Sequence, residues 1–155
     1  MEVWLAAIAY GARRVVLLAT PAVPCSVLRE LSLQVSYAGS VLEGMGYPRS
    51  LLHLISVEGE GEDAARSLAQ APAPVAVEPA GFAGLGQKRA ALRMALDHLY
   101  AHAPAPQPVA ELPDGAPFGT IEVDAQACTL CMACVSVCPA SALYDGDDRP
   151  QLRFV

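Results

Sequence analysis

The sequence is poor in charge, and in positive charge above all. Charged residues make up 17% of the chain, and 10 Lys and Arg face 16 Asp and Glu, which gives a net charge of -6. The longest basic runs are the pairs Arg13-Arg14 and Lys88-Arg89. Because nucleic-acid binding depends on basic groups that neutralise phosphates, this composition argues against a nucleic-acid partner.

Long uncharged apolar runs are also scarce. A membrane-spanning helix needs about 18 or more consecutive apolar residues, and Arg13-Arg14, Pro21 and Pro24 interrupt the candidates near the N-terminus. The two arginines follow the first apolar run, whereas a signal peptide carries its positive charge before that run. We therefore expect a soluble, cytoplasmic protein with no membrane span.

Nothing in the sequence pairs a nucleophile with a general base. The serines at positions 36, 40 and 50 have no G-x-S-x-G context around them. We expect no catalytic site in this chain, although the chain could be a component of an oxidoreductase complex.

What the sequence does have is a tight cluster of cysteines. Four of its five cysteines lie within eleven residues, at Cys128, Cys131, Cys134 and Cys138, and Pro139 follows the last. Disulfide frameworks spread their cysteines along a chain, whereas cysteines at short spacing indicate a metal site. Thiolates are soft, anionic ligands that suit iron–sulfur clusters and zinc.

The spacing favours an iron–sulfur cluster over zinc. Zinc sites of four cysteines usually pair two C-x2-C knuckles across a longer gap. The run C-x2-C-x2-C-x3-C-P, by contrast, matches the bacterial ferredoxin pattern, in which the fourth cysteine ligates the other of two clusters. We therefore expect Cys128, Cys131 and Cys134 to hold one [4Fe–4S] cluster. Cys138 is expected to reach toward a second cluster in the intact parent protein.

Residues 118–155 as a whole resemble the first half of a two-cluster, bacterial-type ferredoxin module. The matching stretches are 118–124 before the cysteines and 138–143 after them, and 144–155 is similar to the hairpin that follows in that family, with its turn at Asp145-Gly146. The resemblance implies electron transfer through the cluster.

Residues 1–102 are predicted to form a small α/β unit, and 103–117 a proline-rich linker. Continuous apolar runs favour strands buried on both faces of a parallel sheet, and apolar residues at helical spacing mark the helices. The predicted elements are a helix over 2–10, a strand at Val15–Ala19, a helix over 27–45 that Ser26 could cap, a strand over 51–57, an acidic turn over 58–63, a short helix over 63–70 and a last helix ending near Ala101. The fold class is therefore α/β, followed by a partial ferredoxin-like α+β module.

Residues 2–70 resemble the delta subunit of methyl-viologen-reducing hydrogenases. The likeness lies in a strand, a proline-containing loop with Cys25, a long helix ending at Glu43-Gly44-Met45-Gly46, a second strand and the acidic turn. That family links hydrogenase to heterodisulfide reductase and carries a [2Fe–2S] cluster bound in part by two loop cysteines; Cys25 falls on the second and Thr20 on the first. Cys25 is also a candidate extra ligand that could supply the missing fourth thiolate to the cysteine run, since the proline-rich linker is long enough to permit it; a small buried apolar side chain is the alternative.

The sequence thus predicts an iron–sulfur electron-transfer protein, or a domain of a larger multi-cluster redox protein. Redox proteins such as hydrogenase, reductase or formate dehydrogenase subunits are the expected partners. Two alternatives stay open: a structural or interaction module with zinc or no metal on its cysteines, and a non-catalytic segment of an oxidoreductase subunit.

The single cysteine run generates a first prediction. If Cys138 serves a second cluster within one polypeptide, the parent gene encodes another C-x2-C-x2-C run within a few dozen residues after Val155. Reading the native open reading frame checks this, and a stop codon directly after Val155 would contradict it.

Overall fold

The computed structural model describes residues 1–57, 62–69, 76–83, 88–119 and 121–154. The chain divides into two units, Met1–Ala116 and Pro117–Val155. In chain order the elements are α1 (Glu2–Ala9), β1 (Val15–Ala19), α2 (Cys25–Gly44), a 3-10 turn (Arg49–Leu51), β2 (Leu52–Ser56), α3 (Glu62–Ala69), α4 (Lys88–Ala101), α5 (Ala133–Val137), β3 (Leu143–Asp145) and β4 (Leu152–Phe154).

The first unit contains a parallel pair of strands, as the sequence predicts. β1 pairs with β2 in a register that sets Val15 opposite Leu52 and Ala19 opposite Ser56. Parallel neighbours need a long crossover connection, and the 20-residue helix α2 lies within it. Residues 58–61 of the expected acidic turn lie outside the described residues.

The strands are only half-buried, so the prediction that both faces would be covered is wrong. Ala19 and Leu52 are the strand residues of this sheet that are buried, and Leu18 is 50% exposed. In the described ranges the sheet has two strands, with α1 contacting β1 and α2 contacting β2. A sheet this narrow leaves its edges and part of its surface open, so a continuous apolar run did not mean full enclosure.

Helix α2 begins two residues earlier than expected, and Ser26 does not cap it. Pro24 occupies the N-cap position with φ -58° and ψ 142°, no side-chain cap is formed, and Cys25 is the first helical residue. The fixed φ of proline is already close to the helical value, so the turn from Pro24 into the helix needs no polar side chain.

The hydrophobic core lies where α1, α4 and the C-terminal half of α2 meet. Its most buried large side chains are Leu5, Ile8, Leu42, Leu51 and Leu99. On α1, Leu5 and Ile8 are three residues apart, the spacing of neighbours on one face of an amphipathic helix. Within the described residues, none of the helices combines the length and apolarity that crossing a membrane requires.

A buried tyrosine ties the end of α2 to the end of α4. The Tyr47 hydroxyl lies 3.0 Å from the carbonyl oxygens of both Leu99 and His102, at the C-terminal end of α4. These are carbonyls that a helix end leaves without an intrahelical donor. Tyr47 is 4% exposed, and its burial raises the pKa of the phenol, so it stays protonated as the donor.

Residues 103–116 belong to the first unit and run across the end of α2. The N–H of Gln107 donates to the Gly44 carbonyl at 2.7 Å, and the N–H of Ala105 donates to the Met45 carbonyl at 3.3 Å. Because proline has no N–H, the residues between the prolines make these bonds. We call residues 103–116 the strap.

The contact between α2 and the strap generates a prediction for Gly46. Its φ is +83°, and a Cβ there would lie 2.8 Å from the Ala105 nitrogen. Gly46→Ala combines a left-handed alanine with overpacking against backbone, so we expect it to lower the free energy of unfolding by about 2 kcal/mol. Urea denaturation measures the change.

Gly39→Ala is the matched control. This glycine lies inside α2, and a Cβ there would meet the flexible Arg49 side chain at 3.5 Å, an ordinary contact. Alanine is the better helix former by about 1 kcal/mol, so the variant should be neutral or more stable. Equal losses in the two variants would contradict the close approach of the strap.

Candidate metal centre

The second unit is organised by backbone hydrogen bonds more than by a core. None of its described residues, 117–119 and 121–154, is buried. A unit of fewer than about 40 residues rarely buries enough apolar surface to be stable alone, and usually depends on disulfides, metals or oligomerisation. Its four cysteines form no disulfide with one another, so a metal group bound by them is one means by which a unit of this size can be stabilised.

The first cysteine is positioned by a turn at Asp124. The Asp124 carboxylate oxygen Oδ1 accepts hydrogen bonds from the N–H groups of Gln126 at 2.9 Å and Ala127 at 3.3 Å. The Asp124 carbonyl accepts from the N–H of Cys128 at 2.8 Å. Aspartate side chains commonly accept hydrogen bonds from the backbone N–H groups that follow them and so stabilise a turn. Here the turn places Cys128 at the start of the cysteine loop.

The loop between the first three cysteines contains two left-handed residues. Leu130 has φ 54° and Met132 has φ 60°, although neither is the glycine or asparagine that this conformation favours. Alternating right- and left-handed residues turn successive N–H groups toward one concave side, which suits an anion. Such conformations cost about 1–3 kcal/mol each and concentrate at functional sites.

Hydrogen-bond donors from this loop face the Cys131 sulfur. The backbone N–H of Ala133 and, after it, the Thr129 hydroxyl lower the pKa of the Cys131 thiol. Both groups donate to sulfur and so favour the thiolate, which is the form that binds iron or zinc.

Helix α5 separates the last two cysteines. Cys134 lies in its first turn, and Cys138 follows its last residue with φ -71° and ψ 108°. The N–H of Ala142 lies 3.4 Å from the Cys138 sulfur. This N–H, followed by the lesser effects of the N–H groups of Ala140, Leu143 and Ser141, lowers the pKa of the Cys138 thiol.

The predicted hairpin follows, but its turn is wider than expected. β3 and β4 are antiparallel, with Leu143 opposite Phe154 and Asp145 opposite Leu152. Asp145 is therefore a strand residue and not half of a two-residue turn, and the connection runs over 146–151. Its closing hydrogen bond joins the Gly146 N–H to the Gln151 carbonyl at 2.9 Å. Pro150 lacks an N–H for strand pairing, which accounts for the longer loop.

The four thiols form a donor set that fits an iron–sulfur cluster. In the described part of the chain, no three His, Cys, Asp or Glu side chains are grouped as ligands of a single metal ion. Four thiolates are nevertheless the ligands that a [4Fe–4S] cluster takes, and such clusters accept N–H donors at their sulfurs, as the N–H of Ala142 is placed to do at Cys138.

Cys25 lies in the first unit, and its side chain is exposed. The alternative that it is a buried apolar side chain is therefore wrong, because the loop that precedes it brings it to the surface at the start of α2. A role for Cys25 as an extra ligand stays a prediction.

The cysteines were identified from the sequence, but several groups that form hydrogen bonds near them were not. Asp124, Thr129 and the N–H groups of 140–143 were not predicted as parts of the site. Asp124 carried a usable signal, because an aspartate four residues before a cysteine loop favours a turn. No sequence pattern indicated that Leu130 and Met132 would adopt the left-handed conformation.

Comparison with known proteins bears on this region alone. A family model described as a 4Fe-4S binding domain matches residues 120–143, a stretch that contains all four clustered cysteines. The expected [4Fe–4S] cluster is confirmed by this match. No curated protein and no solved structure matches the chain.

The Thr129 hydroxyl provides a test of the donor arrangement. Because its hydrogen bond lowers the pKa of Cys131, Thr129→Val should raise that pKa, and the metal-free protein should then alkylate at Cys131 with a midpoint at higher pH. Mass spectrometry of iodoacetamide-treated protein across pH measures the midpoint. Ser136→Ala, an exposed change within α5, is the control and should leave it in place. An unchanged midpoint in Thr129→Val would contradict the bond.

Proposed function

We propose that this chain is an electron-transfer protein that carries one electron at a time through a [4Fe–4S] cluster bound at its cysteine run. The observation that carries the proposal is the four-thiol run within the stretch 120–143 that matches a 4Fe-4S binding domain. The donors at Cys131 and Cys138 support it, because N–H groups aimed at cluster sulfurs are a means of adjusting the reduction potential.

Each part of the run has its own task in this proposal. Cys128, Cys131 and Cys134 hold three irons of one cluster, and Cys138 ligates a second cluster in the intact protein. The N–H groups of Ala133 and Ala142 stabilise negative charge on the sulfurs. Since reduction adds negative charge to the site, these donors favour the reduced state and raise the reduction potential.

The first unit, in this proposal, docks a redox partner such as a hydrogenase, reductase or formate dehydrogenase subunit. The resemblance to the hydrogenase delta subunit supports it, and the parallel strands either side of α2 are compatible with that resemblance.

The cytoplasm is the proposed compartment, since it keeps thiols reduced and available as ligands. The intact protein would then be a longer, multi-cluster one.

Anaerobic loading with iron and sulfide tests the function. We expect a broad absorbance shoulder near roughly 400 nm, about four irons and four acid-labile sulfides per cluster, and bleaching of the shoulder on chemical reduction that reverses on reoxidation. Cys134→Ser should lower the iron and sulfide content. Ser136→Ala, two residues further along α5, should preserve both.

Two results would contradict the proposal. Stoichiometric zinc without sulfide would make the run a structural zinc site, and a cluster that binds but cannot be reduced and reoxidised reversibly would remove the electron-transfer role.

A further inference from the structure

Two histidine rings lie against each other at the end of α4, in the first unit. His98 is in the last turn of the helix, and His102 directly follows the helix. Their ring centroids are 4.3 Å apart, with the ring planes tilted by 32°. His98 is half-buried and His102 is exposed. The buried residues of α4 are Ala91, Ala95 and Leu99, so the histidine pair is not part of the hydrophobic core.

Each ring has one nitrogen bonded to a backbone carbonyl. The Nε2 atom of His98 lies 2.7 Å from the Glu78 carbonyl oxygen, and the Nδ1 atom of His102 lies 2.9 Å from the His98 carbonyl oxygen. Because a carbonyl oxygen can only accept a hydrogen bond, these two nitrogens carry the hydrogens. In the neutral rings, the lone pairs are therefore on Nδ1 of His98 and Nε2 of His102.

These hydrogen bonds are the kind that histidines make when they bind metal. A metal-ligating histidine donates its other ring N–H to a carboxylate, a water or a backbone carbonyl, which fixes its tautomer and its orientation. Two nitrogens that each lie about 2.1 Å from one ion are at most about 4 Å apart. That distance is comparable to the 4.3 Å between the two ring centroids, so the rings are spaced for a single ion.

We propose that His98 and His102 bind one divalent transition-metal ion, through Nδ1 and Nε2 respectively, at a site separate from the cysteine run. Imidazole nitrogens suit zinc, copper and nickel. Among the described residues no third His, Cys, Asp or Glu is grouped with the pair, so water fills the other positions around the ion. Binding displaces water from the ion and leaves its oxidation state unchanged.

A bound ion braces the C-terminal end of α4. The Tyr47 hydroxyl already joins this end to the rest of the core, since it lies 3.0 Å from the carbonyl oxygens of Leu99 and His102. An ion between His98 and His102 links the same turn of the chain through its side chains. The site depends on this turn being formed, so the ion binds the folded chain in preference to the unfolded chain and stabilises the first unit.

Titration with copper(II) tests the site, because copper has the highest affinity for nitrogen ligands among the first-row divalent ions. The full chain is first treated with iodoacetamide, so that its five cysteines are blocked. Calorimetry measures the affinity, and electron paramagnetic resonance identifies the nitrogens bound to copper. We expect one ion per chain with two imidazole nitrogens, and a higher unfolding temperature in its presence.

His98→Gln and His102→Gln each remove one ligand nitrogen while keeping a side-chain N–H donor. Each should weaken copper binding by roughly tenfold or more and remove one imidazole nitrogen from the spectrum. His53→Gln, on β2, is the matched control, since it removes the chain's third histidine and leaves the pair intact. Tyr100→Phe, at an exposed position of α4, is a second control. Neither control should change the affinity or the spectrum.

Copper that binds the wild type and both pair variants with equal affinity would overturn the proposal, as would a spectrum with one imidazole nitrogen in the wild type. Loss of binding in His53→Gln with the Tyr100→Phe variant unaffected would place the ion elsewhere and overturn it as well. These measurements are made with the cysteines blocked, so none of them bears on the proposed electron transfer, which depends on uptake of iron and sulfide.

Discussion

Negative charge on sulfur is the constraint around which the second unit is arranged. Thiolates in a small, open unit need hydrogen-bond donors close to them, and the backbone supplies these at Cys131 and Cys138. Supplying them fixes the local chain: Met132 is left-handed and opens α5, and Ser141 is left-handed beside the donors to Cys138. The fold of this unit follows from satisfying its sulfurs more than from burying its side chains.

The first unit, by contrast, is organised by the burial of apolar side chains, so its helices and strands were predictable from the pattern of apolar residues. The strand Val15–Ala19 was predicted at its observed bounds, and α2 within two residues of them, since burial against a core imposes a period that the sequence displays. Exposure of Leu18 was not predictable. A run of apolar residues predicts that a strand forms, whereas the buried fraction of its side chains depends on how many strands and helices pack against it.

At the candidate metal centre too, some features could be predicted from the sequence pattern and others could not. Cysteine spacing reports ligand chemistry directly, so the four thiols could be found from sequence. The conformations of Leu130 and Met132 oppose their local preferences, so no local rule predicts them. The strap is a related case: its proline content predicted a linker, and composition alone did not indicate that the N–H groups of Ala105 and Gln107 bond to the end of α2.

The exposure of the cysteines affects both the rate at which a bound cluster could exchange electrons and the ease with which the cysteines are oxidised. Cys131 and Cys134 are exposed, so a cluster on these sulfurs would lie close to the molecular surface, within a short tunnelling distance of a docked donor or acceptor. The same openness admits molecular oxygen and peroxide, which convert thiolates stepwise to sulfenic and sulfinic acids. Fast exchange of electrons and sensitivity to air would therefore share one structural origin in this protein.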